Sequence, residues 1–458
     1  MHSPADPPPA QLGRGLRTRH VTMITIGGII GAGLFVGSSA AIATIGPAAI
    51  LTYMLSGLVI LFMMQILSEL AAAHPGTGSF TEFARLGLGD WAGFTAGWLY
   101  WYFWVIVVPI EALAGALILH AWLPVIAVWQ IGIVLMTIMT GVNLLSARSF
   151  GEFEFWFSSI KVAAILAFVL IAGLYACGIT SPTGETFGNL VRHGGFAPNG
   201  KLPILAGVAT VIFSFVGAEI VTIAAAESDA GPAAIAQLTR SVAVRILLFF
   251  VLSITLIVAV VPWNDIKPGI SPFAVALAHI GVHGAATLMN LVVLTAVLSC
   301  LNSGIYVTSR VLFQLAAKGD APQWLVAVNA RKVPTRAILA GAAFGYAALA
   351  CSVVSPGVVF SFLVNASGAV AIVNYLLVAF AELRLRRDLE ATAPERLPIR
   401  MWFFPYGTWG TIAVMIGVLV AMAATPSLQS QFFSSAACVA LVLGLFVVFR
   451  RRKAPALA

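Results

Sequence analysis

Twelve stretches of about twenty largely apolar residues, joined by short polar segments, dominate the chain. They run over 21–44, 47–73, 91–122, 124–145, 156–177 and 203–226, and then over 241–261, 285–316, 336–354, 358–381, 404–424 and 429–449. No soluble domain has an interior that hides so much apolar side chain. Only 9% of the residues are charged and 60% are hydrophobic, whereas a soluble domain carries about 25% charged residues. This excludes a soluble enzyme, a disulfide scaffold and a disordered chain, and it predicts an all-α membrane protein of twelve transmembrane helices. Ten-residue alternating strands of the β-barrel kind do not occur. The four cysteines, Cys177, Cys300, Cys351 and Cys438, lie in or beside apolar runs, where they act as small hydrophobes.

Residues 1–20 are polar and proline-rich, with no small-residue cleavage site after an apolar core. They are expected to form a disordered cytoplasmic tail, not a removed signal peptide. The transmembrane domain is expected over 21–449 and a basic cytoplasmic tail over 450–458. An even number of spans puts both termini on one side. If that side is cytoplasmic, all of the 25 lysines and arginines except Arg192, Lys201 and Lys267 fall in cytoplasmic segments. The formal charge of +8 thus reflects topology and anionic lipid. No nucleic-acid partner is implied.

Two spans carry defects that a passive anchor does not need. The first reads Ile26-Gly27-Gly28-Ile29-Ile30-Gly31-Ala32-Gly33-Leu34-Phe35, with four glycines in seven residues. Each interior glycine costs a helix about 1 kcal/mol relative to alanine. The sixth reads Ile212-Phe213-Ser214-Phe215-Val216-Gly217-Ala218-Glu219. The two spans are five apart in order, and a five-helix unit repeated once returns upside down. Interrupted helices at matching positions of two halves point to a transporter's midplane site. There, half-helix N–H groups meet an anion and freed carbonyls meet a cation. Close packing through Gly27-x-x-x-Gly31 is the competing explanation for the first span.

Most of the seventeen acidic residues read as loop or helix-end residues, but Glu111 in the third span and Glu219 in the sixth are set in apolar runs. Such residues usually face the bundle interior. Glu219 is either a proton carrier or an acid that hydrogen-bonds the unwound backbone. Glu111, in Val108-Pro109-Ile110-Glu111-Ala112, is either functional or paired with another helix. Lys161 sits about 8 Å inside the expected start of span five at 1.5 Å per residue. It either snorkels to the cytoplasmic surface or holds a cation position in the core. His279-x-x-x-His283 has ligand spacing but no acid or cysteine cluster beside it, so no metal site is read there. No phosphate loop, zinc-protease signature or nucleophile elbow occurs, and no cofactor is implied.

With these residues in view, the sequence resembles the amino acid–polyamine–organocation superfamily, in its bacterial amino acid transporter branch. The motifs are Gly31-Ala32-Gly33-Leu34-Phe35, Phe213-Ser214-Phe215-Val216-Gly217-Ala218-Glu219, Gly151-Glu152-Phe153-Glu154-Phe155-Trp156, and Ser309-Arg310 through Gly319-Asp320-Ala321-Pro322. Within the branch it looks most like γ-aminobutyrate (GABA) permeases. Ala32, where most relatives have threonine, Pro109-Ile110-Glu111-Ala112 and Ser299-Cys300-Leu301-Asn302-Ser303 support that likeness. Gly231-Pro232 departs from it by shifting a loop proline one position.

The resemblance implies a fold of two inverted five-helix repeats, about 21–177 and 203–381, with two peripheral helices at about 404–449. It implies a monomeric symporter of the bacterial cytoplasmic (inner) membrane that imports a zwitterionic amino acid with protons by alternating access. Gly28, Ile30, Gly31, Ala32 and Gly33 would bind the substrate carboxylate, and Phe213, Ser214, Phe215 and Gly217 would enclose the rest. Lys161, Glu219 and Glu111 are the residues expected to couple protons. The alternatives are a permease or exchanger for another neutral or aromatic amino acid, and a membrane-embedded sensor or enzyme. The last is weakened because the longest loops are too short to fold alone.

Overall fold

Segments this apolar must satisfy their backbone groups within themselves, and every regular element among the described residues is a helix. The computed structural model describes residues 16–75, 77, 79–225, 232–353, 359, 363 and 369–453. The first expected span is two pieces, α1 (Thr18–Ile29) and α2 (Ser38–Ile45), joined by a wide helical turn at Gly33–Gly37. The chain then reverses through Gly46 and Pro47 into α3 (Ala49–Ala73). Gly46 adopts φ +78°, a backbone conformation that a side chain disfavours.

Next come the short α4 (Thr81–Leu88), the 33-residue α5 (Asp90–Trp122), α6 (Val128–Leu145), α7 (Ala147–Ala176) and α8 (Asn189–Arg192). The sixth expected span divides into α9 (Leu202–Ile212) and α10 (Ile220–Ala225). The remainder is α11 (Pro232–Val260), α12 (Pro272–Ile280), α13 (Ala285–Ala317), α14 (Thr335–Cys351), α15 (Val370–Thr392), α16 (Tyr406–Ala424) and α17 (Pro426–Lys453).

Among the described residues, seven stretches are long and apolar enough to cross a bilayer. The first, Arg19–Ala73, contains two of the expected spans, and Leu202–Ile212, Val244–Val260 and Thr335–Cys351 are shorter apolar helices. At the centre α13 lies along α5, α11 lies along α3, α14 packs on α6, and α1 runs beside α7. Each of the first three contacts joins segments five expected spans apart in the sequence.

Several boundaries differ from the sequence expectation. Leu16 is buried and α1 begins at Thr18, so ordered structure starts before residue 21. Helix α7 begins at Ala147, nine residues before the apolar run, because Ser146 caps it by accepting from the Ser149 N–H at 3.0 Å. Helix α11 likewise begins at Pro232, not at 241, and α17 continues to Lys453 into the expected tail. Residues 1–15, Ala226 to Gly231, most of 354–368 and 454–458 lie outside the described residues. So do the start of the tenth expected span and Gly231 of the departing loop motif.

Glu69, Glu154 and Glu382 are buried as well as Glu111 and Glu219, so three further acids join the two that the sequence sets apart. Each has partners that only the folded chain supplies. Glu69 pairs with Arg386 at 2.5 Å, and Thr408 Oγ1 donates to Glu382 at 2.9 Å. Elsewhere Arg85 of α4 reaches Asp320, beyond the end of α13, at 2.5 Å, and Lys318 reaches Glu82 at 3.4 Å. These contacts tie the segments before α5 and after α13 together.

Candidate functional site

The glycines of the first break let the chain leave the helix at Ile30, whose ψ is +84°. Helix α1 thereby ends in the interior with carbonyls that have no helical partner. Lys161 supplies one. Its Nζ donates to Gly27 O at 2.7 Å, to Ile30 O at 2.8 Å and to Ser299 Oγ at 2.8 Å. All three ammonium hydrogens are used, and a cation at a helix C-terminus is favoured by the helix dipole.

Lys161 is fully buried, so the snorkelling reading fails. The reason is the early start of α7: fourteen residues of helix precede Lys161, about 21 Å of rise at 1.5 Å per residue. The charge is balanced nearby. Ser299 Oγ makes a short hydrogen bond to Glu154 Oε1, and Asn302 Nδ2 donates to Glu154 Oε2 at 3.3 Å. Asn143 Nδ2 in turn donates to Asn302 Oδ1 at 2.9 Å. Lysine and glutamate are thus bridged by one hydroxyl and held by amides, the arrangement that buried opposite charges need.

The second break follows α9 as a tight turn at Phe213–Phe215 and a non-helical stretch to Glu219. Gly217 adopts φ +117°, and a Cβ there would lie 2.3 Å from Gly28 O. A Cβ on Gly33 would lie 2.8 Å from Ser214 Oγ. The two breaks therefore touch backbone to backbone, and small residues are required at the contact. Glu219 anchors this stretch. Tyr100 OH donates to its Oε1 at 2.9 Å, while Tyr375 OH and the Gly217 N–H donate to its Oε2 at 2.7 and 3.0 Å.

Between the breaks lies a small cavity. Gly28, Ile29, Gly31 and Gly33 form one wall, and Ser214 and Val216 form a second. Phe103, Trp104, Val107 and Glu111 of α5 close it together with Cys300 of α13. Cys300 Sγ and Glu111 Oε1 face Gly31 side by side, 3.8 and 3.9 Å from where a Gly31 side chain would begin. The wall is mostly apolar, with peptide groups from the breaks and one carboxyl, a composition suited to a small amphoteric ligand.

Of the expected site residues, Gly28, Gly31, Gly33, Ser214 and Glu111 line this cavity. Ile30 is buried, with its carbonyl on Lys161, and Ala32 is partly buried beside it in the same break. Gly217 faces Gly28. Lys161 and Glu219 stand behind the two breaks and not on the lining. Phe215 is turned away from it. Its ring stacks on Phe250 at 4.4 Å and tilts against Tyr53 at 6.2 Å. The Phe213 side chain lies outside the described residues.

Sequence reasoning missed Phe103, Trp104, Val107 and Glu154. The first three share a helical face with Glu111, at spacings of eight, seven and four, so the acid marked their face.

The amino acid permease family model matches residues 20–455. A gamma-aminobutyric acid permease of Bacillus subtilis is 47% identical over 445 residues, covering 96% of this chain and 94% of that protein. A probable GABA permease of Pseudomonas aeruginosa is 44% identical, covering 97% of this chain and 94% of its own. An aromatic amino acid transport protein of Corynebacterium glutamicum is 38% identical, covering 95% and 94%. With a family match across nearly its whole length and helices fit to cross a bilayer, the chain belongs to the amino acid permease family, as an integral membrane transporter and not an enzyme.

Proposed function

We propose that the protein imports a zwitterionic amino acid, γ-aminobutyrate or a related ω-amino acid, together with protons by alternating access. The observation that carries this is the cavity between two broken helices whose backbones touch at Gly28 and Gly217. Peptide N–H groups where the first expected span resumes its helix, at the turn leading into α2, suit a carboxylate. The choice of an ω-amino acid rests on the names of the two relatives at 44–47% identity.

On this reading the chain is a monomer in the bacterial cytoplasmic membrane, with both termini cytoplasmic. It has twelve spans, arranged as repeats at 21–177 and 203–381 with two peripheral helices at 404–449. The contacts of α3 with α11, α5 with α13 and α6 with α14 support the repeat, because an internal dyad brings equivalent elements together. The positive-inside bias of the basic residues supports the orientation.

Lys161 is the coupling group in this scheme. Protonated, its ammonium fastens the end of α1 to α7 and α13; losing the proton removes the charge and releases the carbonyls of Gly27 and Ile30. A proton thereby biases one conformation of α1 over another, which is what coupling requires. Glu219 serves this scheme as the anchor of the second break.

A second reading, transport of an aromatic amino acid, draws on the 38%-identical relative and on Phe103 and Trp104 in the cavity. Uptake of labelled γ-aminobutyrate into proteoliposomes decides between them. An inward proton gradient is expected to raise uptake about tenfold or more with no response to sodium. A requirement for sodium contradicts the role of Lys161, and competition by aromatic but not ω-amino acids favours the second reading.

A further inference from the structure

Glu111 is the charged side chain among the residues that line the cavity. It comes from α5, which is continuous at this point, and not from either break. It is 7% exposed, and its Oε2 has no hydrogen-bond partner. Its Oε1 lies 3.9 Å from where a Gly31 side chain would begin, with Cys300 Sγ at 3.8 Å and nothing nearer, so the carboxyl faces the glycine break across open space. Neighbouring buried charges are already engaged. Lys161 holds two carbonyls and Ser299, Glu154 holds Ser299 and Asn302, and Glu219 holds two tyrosines and a backbone N–H.

A buried carboxyl oxygen with vacant lone pairs is costly unless something arrives to use them. A zwitterion brings a suitable donor. Its carboxylate is neutral in charge balance with the peptide N–H groups of the break only as a dipolar contact, which leaves its ammonium in need of a counter-ion. The apolar side chains of Phe103, Val107 and Val216 offer none.

We infer that Glu111 receives the substrate's ammonium and is the residue by which the carrier distinguishes an amino acid from a plain carboxylate of the same length. The inference rests on the proposed site between the breaks. It assigns Glu111 to ligand recognition, separately from the proton switch at Lys161.

Equilibrium binding to the purified full-length protein tests this without requiring transport, with labelled γ-aminobutyrate as ligand and butyrate as competitor. In Glu111→Gln, affinity for γ-aminobutyrate is expected to fall about 30-fold or more while that for butyrate changes less than about threefold, because one charged partner is lost and the carboxylate contacts stay. Glu111→Asp retains the charge but draws it back by one methylene. Its preference is expected to move from γ-aminobutyrate toward 5-aminovalerate, an outcome that a merely structural carboxyl does not produce. An unchanged ratio of the two affinities in Glu111→Gln, whether both fall or neither does, overturns the inference. If the wild-type protein binds an aromatic amino acid instead, the ω-amino acid reading fails by itself. The same ratio, taken with phenylalanine and 3-phenylpropanoate, then still decides the role of Glu111.

Discussion

Lys161→Ala abolishes accumulation of γ-aminobutyrate against its gradient in proteoliposomes, reducing it to the level of protein-free vesicles. The effect is large because the ammonium does three things at once. It closes the open end of α1 through Gly27 O and Ile30 O, it fixes Ser299, and through Ser299 it balances Glu154. Alanine leaves the two carbonyls without their donor and the buried Glu154 carboxyl, still held by Ser299 and Asn302, without its counter-charge. Breaking a buried ion pair in this way costs about 3–5 kcal/mol.

Loss of stability alone also lowers uptake, so counterflow is measured alongside. Exchange of labelled for unlabelled substrate at equal concentrations needs no net proton movement. It is expected to persist in the folded fraction while accumulation vanishes. Accumulation at the wild-type level would remove Lys161 from the coupling scheme.

Gly217→Ala is expected to eliminate specific substrate binding, by about a hundredfold or more in affinity, and to destabilise the protein by about 3 kcal/mol or more. Two independent costs combine. The backbone at φ +117° is strained for any residue with a side chain, and the added Cβ would sit 2.3 Å from Gly28 O, a backbone atom that cannot turn aside. Relief comes only by moving the two breaks apart, which reshapes the cavity between them. Binding by detergent-purified protein, with the thermal midpoint followed in parallel, checks the expectation. Near-normal affinity in Gly217→Ala would mean that contact between the breaks is incidental to the site.

Much of this was legible in the chain. The glycine cluster at 27–33 and the Ser-Phe-Val-Gly run at 214–217 announced two breaks because helix propensity is a local property that composition carries. The depth of Lys161 was not legible. Ser146-Ala147-Arg148-Ser149 is polar and reads as a loop by hydropathy, yet it is the capped first turn of α7 and adds nine residues of helix before the apolar run. Glu154 was misjudged for the same reason.

Phe215 illustrates a different limit. A tight turn sets successive side chains about 120° apart, so the neighbours Ser214 and Phe215 point to different sides. Ser214 meets the cavity while Phe215 joins Tyr53 and Phe250. Phe103, Trp104 and Val107 lie on a helix that is apolar on nearly every side, where Glu111 is the one mark of the inward face and packing decides the rest. Pairing of Glu69 with Arg386 joins residues 317 positions apart, which no window along the chain registers.

On the proposed reading the substrate sits in the space beside Gly31, between the two breaks. Gly31→Ala tests it with little confounding, because the new methyl would meet Cys300 Sγ at 3.8 Å and Glu111 Oε1 at 3.9 Å, ordinary contacts that leave the fold undisturbed. Equilibrium binding of labelled γ-aminobutyrate to the purified variant is the measurement. Affinity is expected to fall by about tenfold or more, roughly 1.4 kcal/mol, at an unchanged thermal midpoint; affinity equal to that of the wild type would place the ligand elsewhere.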